Sequence, residues 1–377
     1  MEIIISHISA LEYWRHWRAH GDGKITDLAR LRGKSPPASL PHSINIRGAV
    51  PKRLLNPVII LVGNKNIARK SNIVQSRVFT APTPDGCFIG IDGGLAVSSP
   101  AFCFFQMADE LPMVKLIELG LELCGTYSLP VKREHCSESS FRNEAGGENP
   151  NGNRKEVAAE TLYGHVEGIA DKTMNGLGDE NPYENLYGHP QLTSKKAIMA
   201  LTARLKGANG QKKACRALRY IADGSASPME TILFMLLTLP HSLGGYGLPP
   251  PVFNRRIGPR NAARQGFGKA YYKCDLFWPD ADFAVEYDSD LYHTGADRIA
   301  DDSDKRLDLA KNRITVITVT NRQIRDVNAF EGIAKLIAGR LNKQLRYGNR
   351  RKFLEARREL RSLLFMKRPA LLSPRQQ

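Results

Sequence analysis

The sequence is short of acid. Against 54 lysines and arginines it sets 38 aspartates and glutamates, a formal net charge of +16 over 377 residues. A surplus of that size favours a polyanionic partner, nucleic acid being the simplest. Cysteine is scattered: Cys87, Cys103, Cys124, Cys136, Cys215 and Cys274, none in a C-x-x-C pair. That excludes zinc-finger spacing and a dense disulfide framework, and predicts buried free thiols in a reducing compartment. No apolar run reaches the roughly 18 residues that a membrane span needs. The opening MEIIISHISALEYW has neither a basic leader nor a small-residue cleavage site. The expected setting is therefore cytoplasmic, with no membrane contact. No internal repeat of fixed period is present. With 42% hydrophobic and 24% charged residues, the composition is ordinary globular material, enough for two domains with sizeable cores.

The first third alternates strand and helix signals. Residues 7–20, HISALEYWRHWRAH, predict an amphipathic helix with Trp14 and Trp17 near one face. Residues 52–63, KRLLNPVIILVG, predict a strand entering a buried sheet, and short strands joined by Gly and Pro turns follow. Residues 98–125 predict helix, capped by Ser98 or Ser99 with Pro100 in the first turn, an apolar face of Val114, Ile117 and Leu121, and an end at Gly125. The stretch from 132 to about 155 is poor in apolar residues and reads as a flexible insertion or linker. Helical pattern returns at 193–221, broken at Gly207 to Gly210, with Lys206, Lys212, Lys213, Arg216 and Arg219 as a solvated or phosphate-facing run.

From 227 the order is helix, three strands, helix, strand, helix, which predicts an α/β domain around a central mixed sheet. The helix at 297–311 has Ala300, Leu307 and Ala310 among its inward candidates. The β-branched run ITVITVT at 314–320 predicts a fully buried strand, with a last helix beginning near Asn321. The expected divisions are an α+β module at 1–131, the linker at 132–190, the α/β domain at 191–345 and a basic tail at 346–377.

The segment CDLFWPDADFAVEYDSDLYH, 274–293, puts acid where buried strands need none. Alternation places Asp282, Ala284, Glu286 and Asp288 on one strand face. A hairpin through Pro279 and Asp280 brings Asp275 alongside Glu286. Gathered carboxylates repel unless a cation lies between them, and oxygen-only donors suit Mg²⁺ or Mn²⁺. Asp275, Glu286 and Asp288 are thus candidate metal ligands, for hydrolysis of a phosphodiester. His293 is a candidate base, or a partner for the leaving oxygen. Glu230 would complete the cluster from the helix at 227, and Asp304 is a possible helper. Plainer readings stand beside these. Ser227-x-x-Glu230 fits a capping box. Asp280 and Asp282 fit a turn, Asp288 can end a strand, and His293 can be structural. Asp301, Asp302 and Asp304 suit a helix start.

Taken in order, SPMETIL, YKCDLFWPDADFAVEYDSDLYH and DDSDKRLDLAKNRITVITVTNRQI resemble the very-short-patch-repair-like endonucleases of the PD-(D/E)XK superfamily, over roughly 225–326. The resemblance implies a restriction-endonuclease-like mixed sheet flanked by helices, a divalent metal and cleavage or nicking of DNA. Its positions fall on Glu230, Asp275, Glu286, Asp288 and His293, with Asp304 after them. The superfamily's common Glu-x-Lys would put lysine at 288, where this chain has Asp288; the very-short-patch branch also lacks that lysine and uses histidine. The branch's Asp-Gly is here Asp288-Ser289. Lys273, placed by alternation on the face of Asp275, is a further candidate charge. Residues 1–130, through VSSPAFCFFQMADELPMVKLIELGLELCG, resemble the AbiEi family of abortive-infection antitoxins, which bind DNA. No helix-turn-helix is legible there; Trp14, Arg15, Trp17 and Arg18 are the suggestive residues.

The basic segment 254–273 leads into the acidic cluster. Arg255, Arg256, Arg260, Arg264 and Lys269 are candidate phosphate contacts. Residues 340–361 carry nine lysines and arginines against Glu355 and Glu359 and read as phosphate-contacting or simply solvated helix. The sequence therefore predicts a Mg²⁺- or Mn²⁺-dependent DNA endonuclease, in defence or DNA processing. It admits a homodimer and a partner protein of a defence system. The rival expectations are a non-catalytic DNA-binding regulator on a degenerate nuclease fold, and an RNA-directed nuclease toxin.

Overall fold

Two mixed sheets with helices packed on them make up the described part of the chain. The computed structural model describes residues 3–20, 28, 30–40, 57–91, 94–129, 186–258, 270–288 and 296–365, with the backbone alone at 296–302. Of the linker expected at 132–190, residues 132–185 lie outside the described residues, as does Cys136, while Tyr187 forms a β-bridge with Tyr127 and the Ser128 N–H donates to the Leu186 carbonyl at 2.8 Å.

The first sheet has six strands: β1 (Ile3–Ile5), β2 (Arg30–Leu31), β3 (Val58–Val62), β4 (Val74–Val78), β5 (Phe88–Ile91) and β6 (Leu95–Ser98), in the order β2-β5-β6-β1-β3-β4. β1 runs parallel to β6 and antiparallel to β3. Every residue of β1, β3 and β6 is buried, as their apolar runs require. Helix α1 (His7–His20) lies against the sheet, with Trp14 buried and its indole N–H donating to the Ser98 carbonyl at 2.8 Å. Arg15 and Arg18, the suggestive basic residues of this helix, are internal. Arg15 makes a bidentate pair with Glu122 at 2.7 and 2.6 Å, and Arg18 donates to the Tyr127 carbonyl. They fasten α1 to the end of the helix carrying Glu122 and offer nothing to a DNA backbone.

The helical stretch expected at 98–125 is two helices, α2 (Pro100–Glu110) and α3 (Met113–Leu123). Ser99 caps the first through the Phe102 N–H. The break falls at Leu111, which is extended because the Pro112 ring disfavours helix in the residue before it. After it come α4 (Lys195–Arg204) and α5 (Gln211–Ala217), separated by Gly207 and Gly210 at φ +84° and +82°, where a side chain would be strained.

Helix α6 (Pro228–Thr238) opens the second half and is buried almost all round. Four strands follow: β7 (Val252–Ile257), β8 (Tyr272–Trp278), β9 (Phe283–Asp288) and β10 (Thr315–Thr320), in the order β10-β9-β8-β7. β7, β8 and β9 are antiparallel; β10 is parallel to β9, joined by the crossover helix α7 (Ala296–Lys311). The chain ends its described part with α8 (Asn321–Arg325), α9 (Val327–Arg340) and α10 (Arg350–Phe365).

Two expectations fail here. β10 is an edge strand with only Val319 buried, so its β-branched run reflects strand propensity rather than two covered faces. On α7, Leu307 is 57% exposed and Ala310 is exposed, whereas Leu309 and Asp308 are buried; Ala300 lies where side chains are not described. Asp308 is kept inside by the Tyr272 hydroxyl at 2.9 Å and the Lys311 ammonium at 2.7 Å.

One apolar core runs through both halves. It joins Ile5, Trp14 and Phe104 to Phe234, Leu276, Phe330 and Leu364. Cys87, Cys103, Cys124 and Cys274 are buried free thiols, as expected, and Cys215 is exposed. Among the described residues no helix is long and apolar enough to cross a membrane.

Because Glu122 answers a buried guanidinium, Glu122→Ala is expected to destabilise the protein by about 3–5 kcal/mol. The pair Arg15→Met/Glu122→Leu, which removes both partners and leaves Arg18 on its carbonyl acceptors, should lose less than that single change in urea unfolding; an equal or larger loss would show that the ion pair is not what the site depends on.

Candidate functional site

Asp275 sits where the second sheet opens. The β8–β9 ladder pairs Trp278 with Phe283, Phe277 with Ala284 and Leu276 with Val285, then stops, although both strands continue. In its place the Asp275 side chain takes over: Oδ2 accepts the Tyr287 N–H at 2.9 Å. The period-two alternation slips at the same point. Leu276 and Val285 join the main core, while Cys274 and Phe277 both join a second cluster with Ala284, Leu309 and Ile314. Across the sheet, Asn254 falls opposite Asp275 between the pairs Phe253–Leu276 and Arg255–Cys274, and has a left-handed backbone, φ +50°. β8 itself and its neighbour β7 are thus distorted at the level of Asp275.

Three carboxylates surround this point. Glu230 is buried; its Oε2 accepts the Ala226 N–H at 2.9 Å and the Asn254 amide at 2.7 Å. The expected capping box is half made. Ser227 Oγ accepts the Glu230 N–H at 3.1 Å, but the glutamate reaches toward Ala226 and Asn254, not back to the cap residue's own N–H. Burial raises the Glu230 pKa, and its hydrogen bonds and the charge of Lys273 only partly oppose this. Asp275 is pushed up to about 7, first by burial, then by the charges of Glu230 and Glu286; the Tyr287 N–H and Lys305 pull the other way. Glu286 pairs through Oε2 with Lys305 of α7 at 2.8 Å, and its Oε1 is buried with no hydrogen-bond partner of good geometry. The Cys274 thiol stands beside that carboxylate, kept protonated by burial and then by Glu286. Burial works against the Lys305 ammonium, yet Glu286 and then Cys274 and Asp275 hold its pKa above the ordinary value.

Lys305 is the residue that sequence reasoning missed. Spacing points to the second position after Glu286, or to Lys273. The structure supplies the lysine from the crossover helix, where it also donates to the Lys273 carbonyl at 2.9 Å. The Lys273 side chain itself is exposed. The signal in the sequence is a lone lysine after a run of aspartates, DDSDK, in a helix leading into a strand parallel to β9.

The other expected residues fall differently. Asp282 is not on the strand face; it ends the short 3-10 turn Pro279–Ala281 at φ +45°. Asp288 is exposed at the end of β9, paired in register with Thr320, and Asp304 is exposed on α7. Asp275, Glu286 and Asp288 are therefore not drawn into one cage. Among the described residues no group of three or more His, Cys, Asp or Glu stands ready to hold a metal ion. Arg255 and Arg256 are exposed on the edge strand β7, Arg256 lying 4.7 Å over the Tyr271 ring. His293, Arg260, Arg264 and Lys269 lie outside the described residues.

Comparison with protein-family models, with curated proteins and with solved structures gives no match.

The raised pKa of Asp275 has a sign. A carboxyl whose folded value, about 7, exceeds its ordinary 3.8 contributes stability in its protonated form that is lost as pH rises through 7. Asp275→Asn keeps an oxygen for the Tyr287 N–H and removes the charge. Without divalent cations its melting temperature at pH 8 is expected to exceed that of the parent chain, with the gap closing toward pH 4. A variant less stable at pH 8 would show that Asp275 is not held against its will.

Proposed function

We propose that the chain is a divalent-metal-dependent DNA endonuclease with a restriction-endonuclease-like C-terminal sheet, and that Asp275 is the centre of its site. The observation that carries the reading is one aspartate held near pKa 7 between Glu230 and Glu286 where two strands part. Buried like charges of this kind are arranged at cost, and such perturbation concentrates at working sites. Free oxygen for a cation remains at Glu286 Oε1. Asn254 Oδ1 is a second buried acceptor without a donor, since its Nδ2 already serves Gly224 and Glu230. Mg²⁺ keeps several waters and needs only one or two protein carboxylates besides the substrate phosphate, so two ligands, Asp275 and Glu286, fit it without a closed cage.

When bound, Mg²⁺ or Mn²⁺ would supply Lewis-acid polarisation of the phosphoryl oxygen. The chain's own residues do the rest. Lys305 holds Glu286 and puts a positive charge beside the anionic phosphate. Glu230, fixed by Ala226 and Asn254, sets the charge felt by Asp275. Asp288, exposed at the strand end, faces the solvent from which a nucleic acid arrives. His293 takes a proton from the attacking water or steadies the leaving oxygen, and Asp304 remains a helper on α7. Arg255 and Arg256, with Arg260, Arg264 and Lys269, hold phosphates. An N-terminal module of antitoxin-like descent would give the enzyme a place in defence or DNA processing.

A second reading has an observation of its own. Lys305 already neutralises Glu286 at 2.8 Å, which a retired metal site would tolerate well. On that reading the chain is a DNA-binding regulator with a degenerate nuclease sheet.

Plasmid nicking in Mg²⁺ or Mn²⁺ separates the two. The parent chain is expected to nick, and Asp275→Ala/Glu286→Ala to lose on the order of 10²–10³-fold or more, as when a transition-state stabiliser is removed. Binding without cutting by both proteins, across several substrates and metals, would establish the regulator instead.

A further inference from the structure

We propose that the end of α9, the connection 341–349 and the outer face of α10 form a docking surface for the phosphate backbone of duplex DNA, distinct from the carboxylate site. Helix α10 is not a loose tail. Phe353, Leu360 and Leu364 are buried in the main core. Two of its arginines are turned inward. Arg361 is buried and donates to the Ile324 and Arg325 carbonyls at 2.6 and 2.5 Å, where it closes the C-terminus of α8. Arg357 pairs with Glu331 at 2.8 Å and reaches the Tyr246 hydroxyl. The helix is therefore pinned in one rotational setting, and its remaining basic residues point outward by consequence.

On α10 those residues include Arg350, Lys352 and Arg358; Arg340 at the end of α9 and Lys343 and Arg346 of the connection are exposed beside them in the sequence. Among the described residues no acidic side chain pairs with any of them; Arg346 has only the neutral Gln344, and Glu355 goes to Arg351. From Arg350 to Arg358 the helix rises about 12 Å, a length over which a duplex presents on the order of seven phosphate charges. Six basic groups on this surface, against the exposed Glu359, raise local repulsion, which a polyanion would relieve.

The composition of the surface narrows the partner. Between Arg340 and Arg358 no large apolar side chain is exposed; Leu336, one turn earlier at 51%, stands alone. A membrane-surface helix needs an apolar face to bury in the lipid, and α10 has already placed its own in the core. Single-stranded nucleic acid is held by exposed aromatic platforms. Here Tyr347 is half-buried and stacked at 4.5 Å on the buried Phe353, so it offers no free ring. A backbone-reading surface for a regular duplex is what remains.

The proposal does not rest on catalysis. The test is fluorescence anisotropy of the full chain with a fluorescein-labelled duplex of about 20 base pairs, in salt from about 50 to 200 mM, the range over which phosphate neutralisation shows most clearly. The comparison is with a fivefold variant, Arg340→Gln, Lys343→Gln, Arg350→Gln, Lys352→Gln and Arg358→Gln, checked for fold by circular dichroism and melting temperature. Every site is exposed, so the fold should hold. The slope of log affinity against log salt is expected to shrink by about 4–5, near 0.9 for each phosphate no longer neutralised. At the lowest salt, affinity should fall at least tenfold. An unchanged slope would overturn the proposal. So would tighter binding of a single strand, or of phosphatidylserine–phosphatidylcholine vesicles, than of the duplex. Should the variant unfold, Lys343→Gln/Arg350→Gln takes its place, with an expected slope change of about 2. Nicking by the parent chain is scored separately: binding with full slope and no nicking would remove the nuclease reading and leave this surface standing.

Discussion

The C-terminal half is organised by a carboxylate that stands in for a strand. Beyond Leu276 and Val285 the β8–β9 ladder ends, and the Asp275 side chain accepts the N–H that a backbone carbonyl would have taken. That single substitution of side chain for main chain has three effects. It satisfies a backbone donor in a region where orphan donors are costly. It shifts the facing of β8 so that Cys274 and Phe277 share a side. It also fixes a negative group between Glu230 and Glu286, where its proton is hard to lose. The hydrogen bond that replaces the ladder and the crowding of negative charge fall on the same side chain.

Around that point the supporting charges come from different elements. Glu230 arrives on α6, tethered by the loop residue Ala226 and the distorted strand residue Asn254. Lys305 arrives on the crossover helix α7. Neither Glu230 nor Lys305 is close in sequence to Asp275 and Glu286, so the electrostatics depend on the sheet, the crossover and the α6 packing being in register together. The buried Arg15–Glu122 pair plays a comparable part in the first half of the chain, tying α1 to α3 through groups that would be destabilising alone.

Much of this architecture is legible in the sequence, for reasons that differ from element to element. Apolar runs such as Val58–Val62 and the Ser99-Pro100 helix start are local signals with local causes, and they hold. The order helix, strands, helix, strand after residue 227 holds as well, since each segment has its own period. What fails is whatever depends on neighbours. The β-branched run of β10 does not reveal that its sheet ends there. The α7 stripe misleads because a charged residue, Asp308, is buried beside Leu309, held by Tyr272 and Lys311. The acidic residues stand out in the sequence by their apolar surroundings, which is why Asp275 and Glu286 come together and the solvent-facing Asp288 and Asp304 do not. Lys305 gives no such signal, because its role is set by a tertiary crossover and not by spacing from Glu286.

The placement of α10 has a consequence for how the chain is made. Phe353, Leu360 and Leu364 share one core with Ile5, Trp14 and Phe234. A nascent chain emerges N-terminus first, so everything that precedes α10 must be made before these three side chains can be buried. Until then the early helices carry an uncovered greasy seam. A premature stop anywhere before 353 would leave that seam open for good, and such fragments belong with chaperones and proteases, not with half-active enzymes.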